Sequence, residues 1–352
     1  MSFESLSPSE QGNHFNLIRL AAASAVIVSH SYTLSRRNGV DPLARIAGFE
    51  IGTTAVIAFF AISGFFISLS FERRRSDLDF IFARVTRIIP GLFVVSLLTA
   101  FVVGPLFTKL SPTEYFSESS VWLYPLQVTS IYRGVVAHLP DVFPNNPLPY
   151  DVNNSLWTLF YELACYIGLF IAGSLGFLRS SRLLFLVLLW SPTYLLVRYG
   201  PWPELQYFAV FSLPFVLGMV AFRYRSSNIL RGWLALPLVA VAVGLALNGI
   251  RIEELWSAAT AYAVLWLGFA PAPRLLGYNR AGDYSYGTYI YGFVIQQMIA
   301  ALMPDVTPLE MISLSLPLAV LAGALSWYLV ERPAIALRRF TRNATTTTPV
   351  AL

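Results

Sequence analysis

Charge is what this chain is short of. Only 12% of its 352 residues are Asp, Glu, Lys or Arg, about half the share in an ordinary soluble domain. With 56% hydrophobic residues and a positive mean hydropathy, that deficit excludes a water-soluble enzyme and points to a polytopic membrane protein. Cysteine is almost absent. Cys165 stands alone, so no intramolecular disulfide can form, and in its apolar run it reads as a small buried side chain. There is no internal repeat and no second soluble domain. No zinc motif, Walker loop, G-x-S-x-G elbow or soluble-type H-x-x-x-D acyltransferase motif occurs, and His14 and His138 have no metal-ligand spacing around them, so no metal is expected. The net charge of +5 is not a nucleic-acid footprint, because the arginines sit in short loops between apolar runs.

Apolar runs of spanning length fall at about 15–35, 51–71, 88–107, 155–178, 183–199, 204–222, 233–250, 254–270, 284–303 and 309–330, each close to the roughly 20 residues a membrane helix needs. The fold class read from them is all-α: a polytopic membrane protein of about ten transmembrane helices. Loop arginines set its orientation. With a cytoplasmic amino terminus, the inner loops and tail hold Arg73–Arg75, Arg84, Arg87, Arg179, Arg182, Arg223, Arg225, Arg231, Arg274, Arg280, Arg332, Arg338, Arg339 and Arg342, sixteen in all. Outside stand seven: Arg36, Arg37, Arg45, Lys109, Arg133, Arg198 and Arg251. Both termini are therefore expected in the cytoplasm. Residues 1–14 form a polar tail without a cleavage site, so the first helix is expected to be retained. Residues 15–335 form one transmembrane domain, and 336–352 a low-complexity tail expected to be disordered. The long connection 108–154 lies outside; its prolines and aromatics point to a packed cap with a short interfacial helix, against the plainer reading of a spacer.

Polar residues inside the apolar runs are the functional candidates, since ionisable groups there are costly. The first run carries Arg19 and, eleven positions on, His30. Eleven residues of helix turn three times plus about 20° and rise about 16 Å, so both lie on nearly one face. A neutral imidazole can take a proton from an alcohol, whereas an arginine stays charged and suits phosphate or carboxylate. Arg84 and Arg87 are three apart, share a helix face, and form a guanidinium pair suited to a phosphate-bearing ligand. Glu162 lies about two turns into the fourth run, at a depth similar to that of His30, so base and orienter is one reading and pairing with an arginine is the other. Asp283 reads as a helix cap. Glu331, Arg332 and Pro333 read as a helix end, and Arg73–Arg75 as a topology signal contacting lipid headgroups.

Several motifs together resemble the membrane acyltransferase-3 family of bacterial carbohydrate O-acyltransferases. They are Arg19 and His30; Phe59 to Ile67, FFAISGFFI; Arg84, Arg87 and Pro90; Ser155 to Glu162, SLWTLFYE; Gly282, Ser285, Tyr286 and Tyr289; and Glu331 with Pro333. They run in the family's order across residues 15–335. Two positions depart from it. Asn16 stands where many members have Asp, and Gly292 follows Tyr291 where many have His, which leaves His30 as the imidazole of the site.

The resemblance implies an integral enzyme of the bacterial inner membrane. It would move an acyl group, acetyl first and succinyl as a variant, from cytoplasmic acyl-CoA to a hydroxyl of an envelope or exported glycan or lipid-linked saccharide. Arg84 and Arg87 would hold the phosphates of acetyl-CoA, and Arg19 its pyrophosphate or thioester region. His30 would act as general base or carry the acyl group as a transient acyl-imidazole, with Glu162 orienting it or balancing its charge. Ser155, Trp157, Ser285 and Tyr286 would bind substrate. Membrane lipids are expected partners, nucleic acid is not, and the oligomeric state stays open. The competing reading is a transporter or flippase with Arg19, His30 and Glu162 as a relay, which the lack of a broken-helix repeat disfavours.

Overall fold

The computed structural model describes residues 13–35, 39–131, 138–178, 180–225, 230–270, 277–279 and 281–337. Most of the 1–14 tail, the chain beyond 337, and Arg36, Arg37, Arg133, Arg179, Arg274 and Arg280 lie outside the described residues. Among those described there is no strand, only an isolated bridge between Thr108 and Val142. The helices are α1 Phe15–Thr33, α2 Pro42–Ala47, α3 Ile51–Glu72, α4 Asp77–Leu98, α5 Gly104–Phe107, α6 Pro112–Ser117 and α7 Ser119–Thr129. After the long connection come α8 Thr158–Ser174, α9 Ser180–Tyr199, α10 Pro203–Arg223, α11 Gly232–Leu247, α12 Glu253–Gly268, α13 Ser285–Leu302 and α14 Pro308–Ser326.

Every apolar run read from the sequence is helical. Among the described residues, six helical stretches are long and apolar enough to cross a membrane: Ile51–Glu72, Asp77–Phe107, Asn154–Ser174, Arg182–Tyr199, Leu205–Arg223 and Pro308–Leu337. The others fall short for physical reasons. Helices α11 and α12 have 16 residues each. Helix α1 carries Asn16, Arg19 and His30, and α13 carries Gln296 and Gln297. In these two helices the polar side chains lower the hydropathy, whereas Asp77–Phe107 keeps it despite Arg84 and Arg87, and Asn154–Ser174 despite Glu162.

Two boundaries differ from the sequence reading. The third run was placed from residue 88, yet its helix begins at Asp77, where the Ser76 hydroxyl accepts from the Asp79 amide at 3.1 Å and caps it. Arg84 and Arg87 therefore sit inside a 31-residue helix rather than ahead of one. At the other end, Glu331 and Pro333 do not terminate the last helix, which continues to Leu337. A π-helical turn, Trp327–Glu331, precedes Pro333, and such a widened turn accommodates a residue that lacks an N–H.

The described chain divides into two compact units. The first holds the chain up to Ser29, Val40–Glu72 and Thr158–Asp283. Its backbone-to-backbone contact is α3 on α10: a Cβ on Gly64 would meet the Phe215 carbonyl oxygen at 2.0 Å, and one on Gly218 the Ala61 carbonyl oxygen at 2.2 Å. Small residues let membrane helices approach this closely, since dispersion rather than water release drives their packing. Beside them Phe15 packs edge-on against Phe66 and Phe269, with ring centroids 4.9 and 5.0 Å apart. The start of α1 is tied down there: the His14 amide donates to Gly268 O at 2.9 Å, and Asn13 Oδ1 accepts from the Phe15 amide at 3.1 Å.

The second unit holds His30–Gly39, Arg73–Trp157 and the chain from Tyr284 onward. Its helices α13 and α14 also touch through glycine, since a Cβ on Gly287 would meet Gly323 Cα at 2.7 Å. The described parts of the connection 108–154, residues 108–131 and 138–154, carry α6 and α7 and are held by buried side chains. Tyr115, fully buried, donates its hydroxyl to Ala100 O at 2.8 Å. Asn146 donates to the backbone and side-chain oxygens of Gln297 at 2.8 and 2.7 Å. Gln297 in turn donates to the carbonyls of Leu148 and Asp151. An amide buried in α13 thus serves as the peg for this connection.

Gly64→Ala is expected to cost about 2–3 kcal/mol, because the added methyl meets a backbone carbonyl that cannot give way. Gly168→Ala, where a Cβ meets nothing within 4 Å, should be neutral. Thermal unfolding of the two variants in detergent distinguishes them; equal midpoints would overturn the close α3–α10 contact.

Candidate functional site

In the first unit, Arg19 and Glu162 each have partners that the sequence did not single out. Arg19 Nη1 lies 3.6 Å from Asp283 Oδ2, and its guanidinium carbon sits 5.1 Å from the centroid of Phe66. Asp283 is therefore an ion partner and not the helix cap it was read as; Tyr284 occupies the cap position of α13 and makes no side-chain capping bond. Glu162 Oε1 accepts from the Ser63 hydroxyl at 3.1 Å and from the Tyr166 hydroxyl. Two hydroxyl donors, rather than an arginine, support this carboxylate. Tyr166 follows Glu162 by four residues on α8, and that spacing was the available signal. Ser63 lies in the FFAISGFFI segment of α3.

In the second unit, Arg87 is held from three sides. Its Nη1 donates to Glu331 Oε2 at 2.9 Å, and its guanidinium carbon lies 5.7 Å from the Tyr286 ring and 5.6 Å from the Trp327 ring. Glu331 is fully buried, and its other oxygen accepts from the Ser326 hydroxyl at 2.9 Å. The Tyr286 hydroxyl donates to Ile88 O at 2.7 Å. Two predicted residues, Arg87 and Tyr286, thus come together with Glu331, which the sequence reading had set aside. Arg84 is half-buried one turn earlier on α4, and Ser285 is buried at the start of α13.

His30 is half-buried near the end of α1. Its ring packs edge-on to Phe293 with centroids 5.2 Å apart. Among the described residues, neither ring nitrogen has a hydrogen-bond partner. The next residue, Ser31, is fully buried and accepts from Gln296 Nε2 at 2.8 Å, so the backbone around His30 is fixed while its imidazole is not engaged. Ser155 is buried, and its carbonyl accepts from the Tyr289 hydroxyl at 2.6 Å. Asn153 Nδ2 donates to Ile290 O at 2.8 Å. Trp157, half-buried, ends the short 3₁₀ turn Asn154–Trp157 that leads into α8. The SLW segment therefore docks on α13 one turn from the Phe293 that carries His30. Sequence reasoning did not pick out Gln296 and Gln297, although two adjacent amides in an apolar run were a legible signal.

What the second unit can do chemically follows from these contacts. An unengaged imidazole can accept a proton or attack a carbonyl, and a guanidinium clamped between two rings presents charge at a defined place.

The chain is similar over most of its length to known proteins. The acyltransferase-3 profile, an acyltransferase domain, matches residues 13–331. A protein named O-acetyl transferase, from Shigella phage Sf6, is 31% identical over 337 residues, covering 92% of this chain and 96% of its own. Nodulation protein 10 of Rhizobium leguminosarum bv. viciae is 29% identical over 373 residues, covering 93% and 94%. No solved structure matches.

Removing one member of a buried ion pair strands the other and costs about 3–5 kcal/mol. Glu331→Leu is expected to lose about that much stability, and Glu331→Leu with Arg87→Met to regain most of it. Thermal unfolding of both variants tests the pair, and additive losses would show that the two side chains are not coupled.

Proposed function

The chain belongs to the acyltransferase-3 family and is a membrane acyltransferase; from that premise we propose that it moves an acetyl group from cytoplasmic acetyl-CoA to a hydroxyl of an envelope or exported glycan. The membrane is the bacterial inner membrane, crossed about ten times with both termini in the cytoplasm, the topology that the loop arginines favour. The name of the phage relative supports acetyl as the group transferred. Being an enzyme, the chain has no need of the transporter reading.

The observation that carries the proposal is His30, an imidazole inside an apolar helix whose ring nitrogens have no hydrogen-bond partner among the described residues. An imidazole that spends neither nitrogen on the fold can accept a proton from an alcohol. His30 takes the proton of the acceptor hydroxyl, directly or after carrying the acyl group itself. The hydroxyl oxygen bonds to the acyl carbon, the carbon–sulfur bond breaks, and the thiolate leaves as coenzyme A with the proton. Arg84 and Arg87 hold the donor's phosphates. Glu331 and the Tyr286 and Trp327 rings support this by pre-orienting the Arg87 fork. Arg19 steadies the donor's pyrophosphate or thioester region. Glu162 is the carboxylate that balances charge during transfer, and Ser155, Trp157, Ser285 and Tyr286 line the substrates' path.

Purified protein in proteoliposomes, given radiolabelled acetyl-CoA and the de-O-acetylated envelope polysaccharide, should transfer label to the glycan. His30→Ala should reduce transfer at least a thousandfold while unfolding at the parent temperature. A folded His30→Ala protein that still acylates would sink the reading.

A further inference from the structure

Asn153 carries a polar atom that the fold leaves unmet. The residue is only 6% exposed. Its Nδ2 donates to the Ile290 carbonyl at 2.8 Å, and Oδ1 is buried with no hydrogen-bond partner. Which end of the amide is which follows from chemistry: only the NH₂ group can donate to a carbonyl, so a flipped amide would set oxygen against oxygen. The unmet acceptor is therefore a property of the fold. Other buried groups also lack partners, among them the hydroxyls of Thr288 and Ser315. Those lie in helices, where a rotated hydroxyl reaches the carbonyl four residues back at little cost. Asn153 has no such freedom while Nδ2 stays on Ile290.

Its surroundings hold it in place. Asp141, Phe143 and Tyr150 all take positive φ, at 53°, 54° and 63°, which is uncommon for side chains of this kind and marks backbone over-determined by its contacts. Gln297 fixes the carbonyls of Leu148 and Asp151 just ahead. Asn153 docks on Ile290, and His30 rests on Phe293, three residues further along α13. Those anchor points are about 4.5 Å apart along the helix. The fixed buried acceptor and the unengaged imidazole are thus anchored three residues apart on one helix of one unit.

We infer that Asn153 Oδ1 is a specificity-determining contact for the acceptor: it accepts a hydrogen bond from a saccharide hydroxyl adjacent to the one that His30 deprotonates. Neighbouring hydroxyls are what a sugar offers and a simple alcohol lacks. A site with a buried acceptor rejects molecules that cannot supply the hydrogen. This inference rests on the glycan-acceptor reading proposed above.

The test compares Asn153→Leu with Asn146→Leu. Asn146 makes the same kind of amide-to-α13 bond, to Gln297, but has no stranded oxygen, so it controls for loss of the strap. In the transfer assay, Asn153→Leu should raise the half-saturating concentration of de-O-acetylated polysaccharide at least tenfold and leave that of acetyl-CoA within twofold. Asn146→Leu should lower the unfolding temperature without moving either. Binding is read separately, without turnover, as the polysaccharide-induced rise in unfolding temperature of His30→Ala protein; that rise should vanish in His30→Ala with Asn153→Leu. The inference is overturned by an unchanged polysaccharide requirement, by equal effects of the two leucine variants, by a shift in acetyl-CoA saturation instead, or by a thermal response that is absent or survives Asn153→Leu. A thermal response that depends on Asn153 in a protein that transfers no label would refute the proposed function and leave this contact standing.

Discussion

A charge or polar group inside an apolar helix bundle must find a partner within the protein, because there is little water to supply one. Much of the structure around the candidate residues is an answer to that constraint. Arg87 meets Glu331 and two aromatic faces, Arg19 meets Asp283 and Phe66, and Glu162 collects two hydroxyls. Gln297 satisfies both ends of its amide and thereby holds a loop against α13. Each solution also fixes geometry, since a side chain that has to keep its partner cannot wander among rotamers. The same requirement that makes these residues expensive makes them well placed.

The His30 imidazole and the Asn153 amide oxygen, both in the second unit, stand apart from that rule. Both dock on α13 through another part of the side chain, a ring edge in one case and an NH₂ group in the other. They are held, yet their chemically useful atoms are not consumed. Enzymes place reactive and recognising groups this way, with support supplied by neighbours and the working atom left for substrate.

The sequence made the helices legible because an apolar run about 20 residues long has few alternatives in a membrane protein. It also exposed His30, Arg19, Arg84, Arg87 and Glu162, since an ionisable residue in such a run is conspicuous. What stayed hidden was pairing. Arg87 and Glu331 are 244 residues apart, and no local spacing encodes their contact. Glu331 was misread because Pro333 usually punctuates a helix, whereas here a π-helical turn absorbs the proline and turns the carboxylate inward. Asp283 was misread for a similar reason: an acid just before a helix is commonly a cap, and only the fold shows the guanidinium that claims it. The start of α4 was missed because Asp77 and Asp79 look like loop until Ser76 is recognised as their cap.

Helix α1 shows how the pairing rule and its exceptions divide one element. At its amino end Asn13 caps it, His14 and Phe15 anchor it, and Arg19 is paired. Toward its carboxyl end, Ser31 is satisfied by Gln296 while His30 is not engaged. Helix α1, of 19 residues, is thus shared between the units, with a neutralised cation in its part up to Ser29 and an available imidazole in its part from His30. The polar side chains of one helix thus meet two different demands: a cation that has to be neutralised to sit there at all, and an imidazole that is useful only while its nitrogens stay unspent.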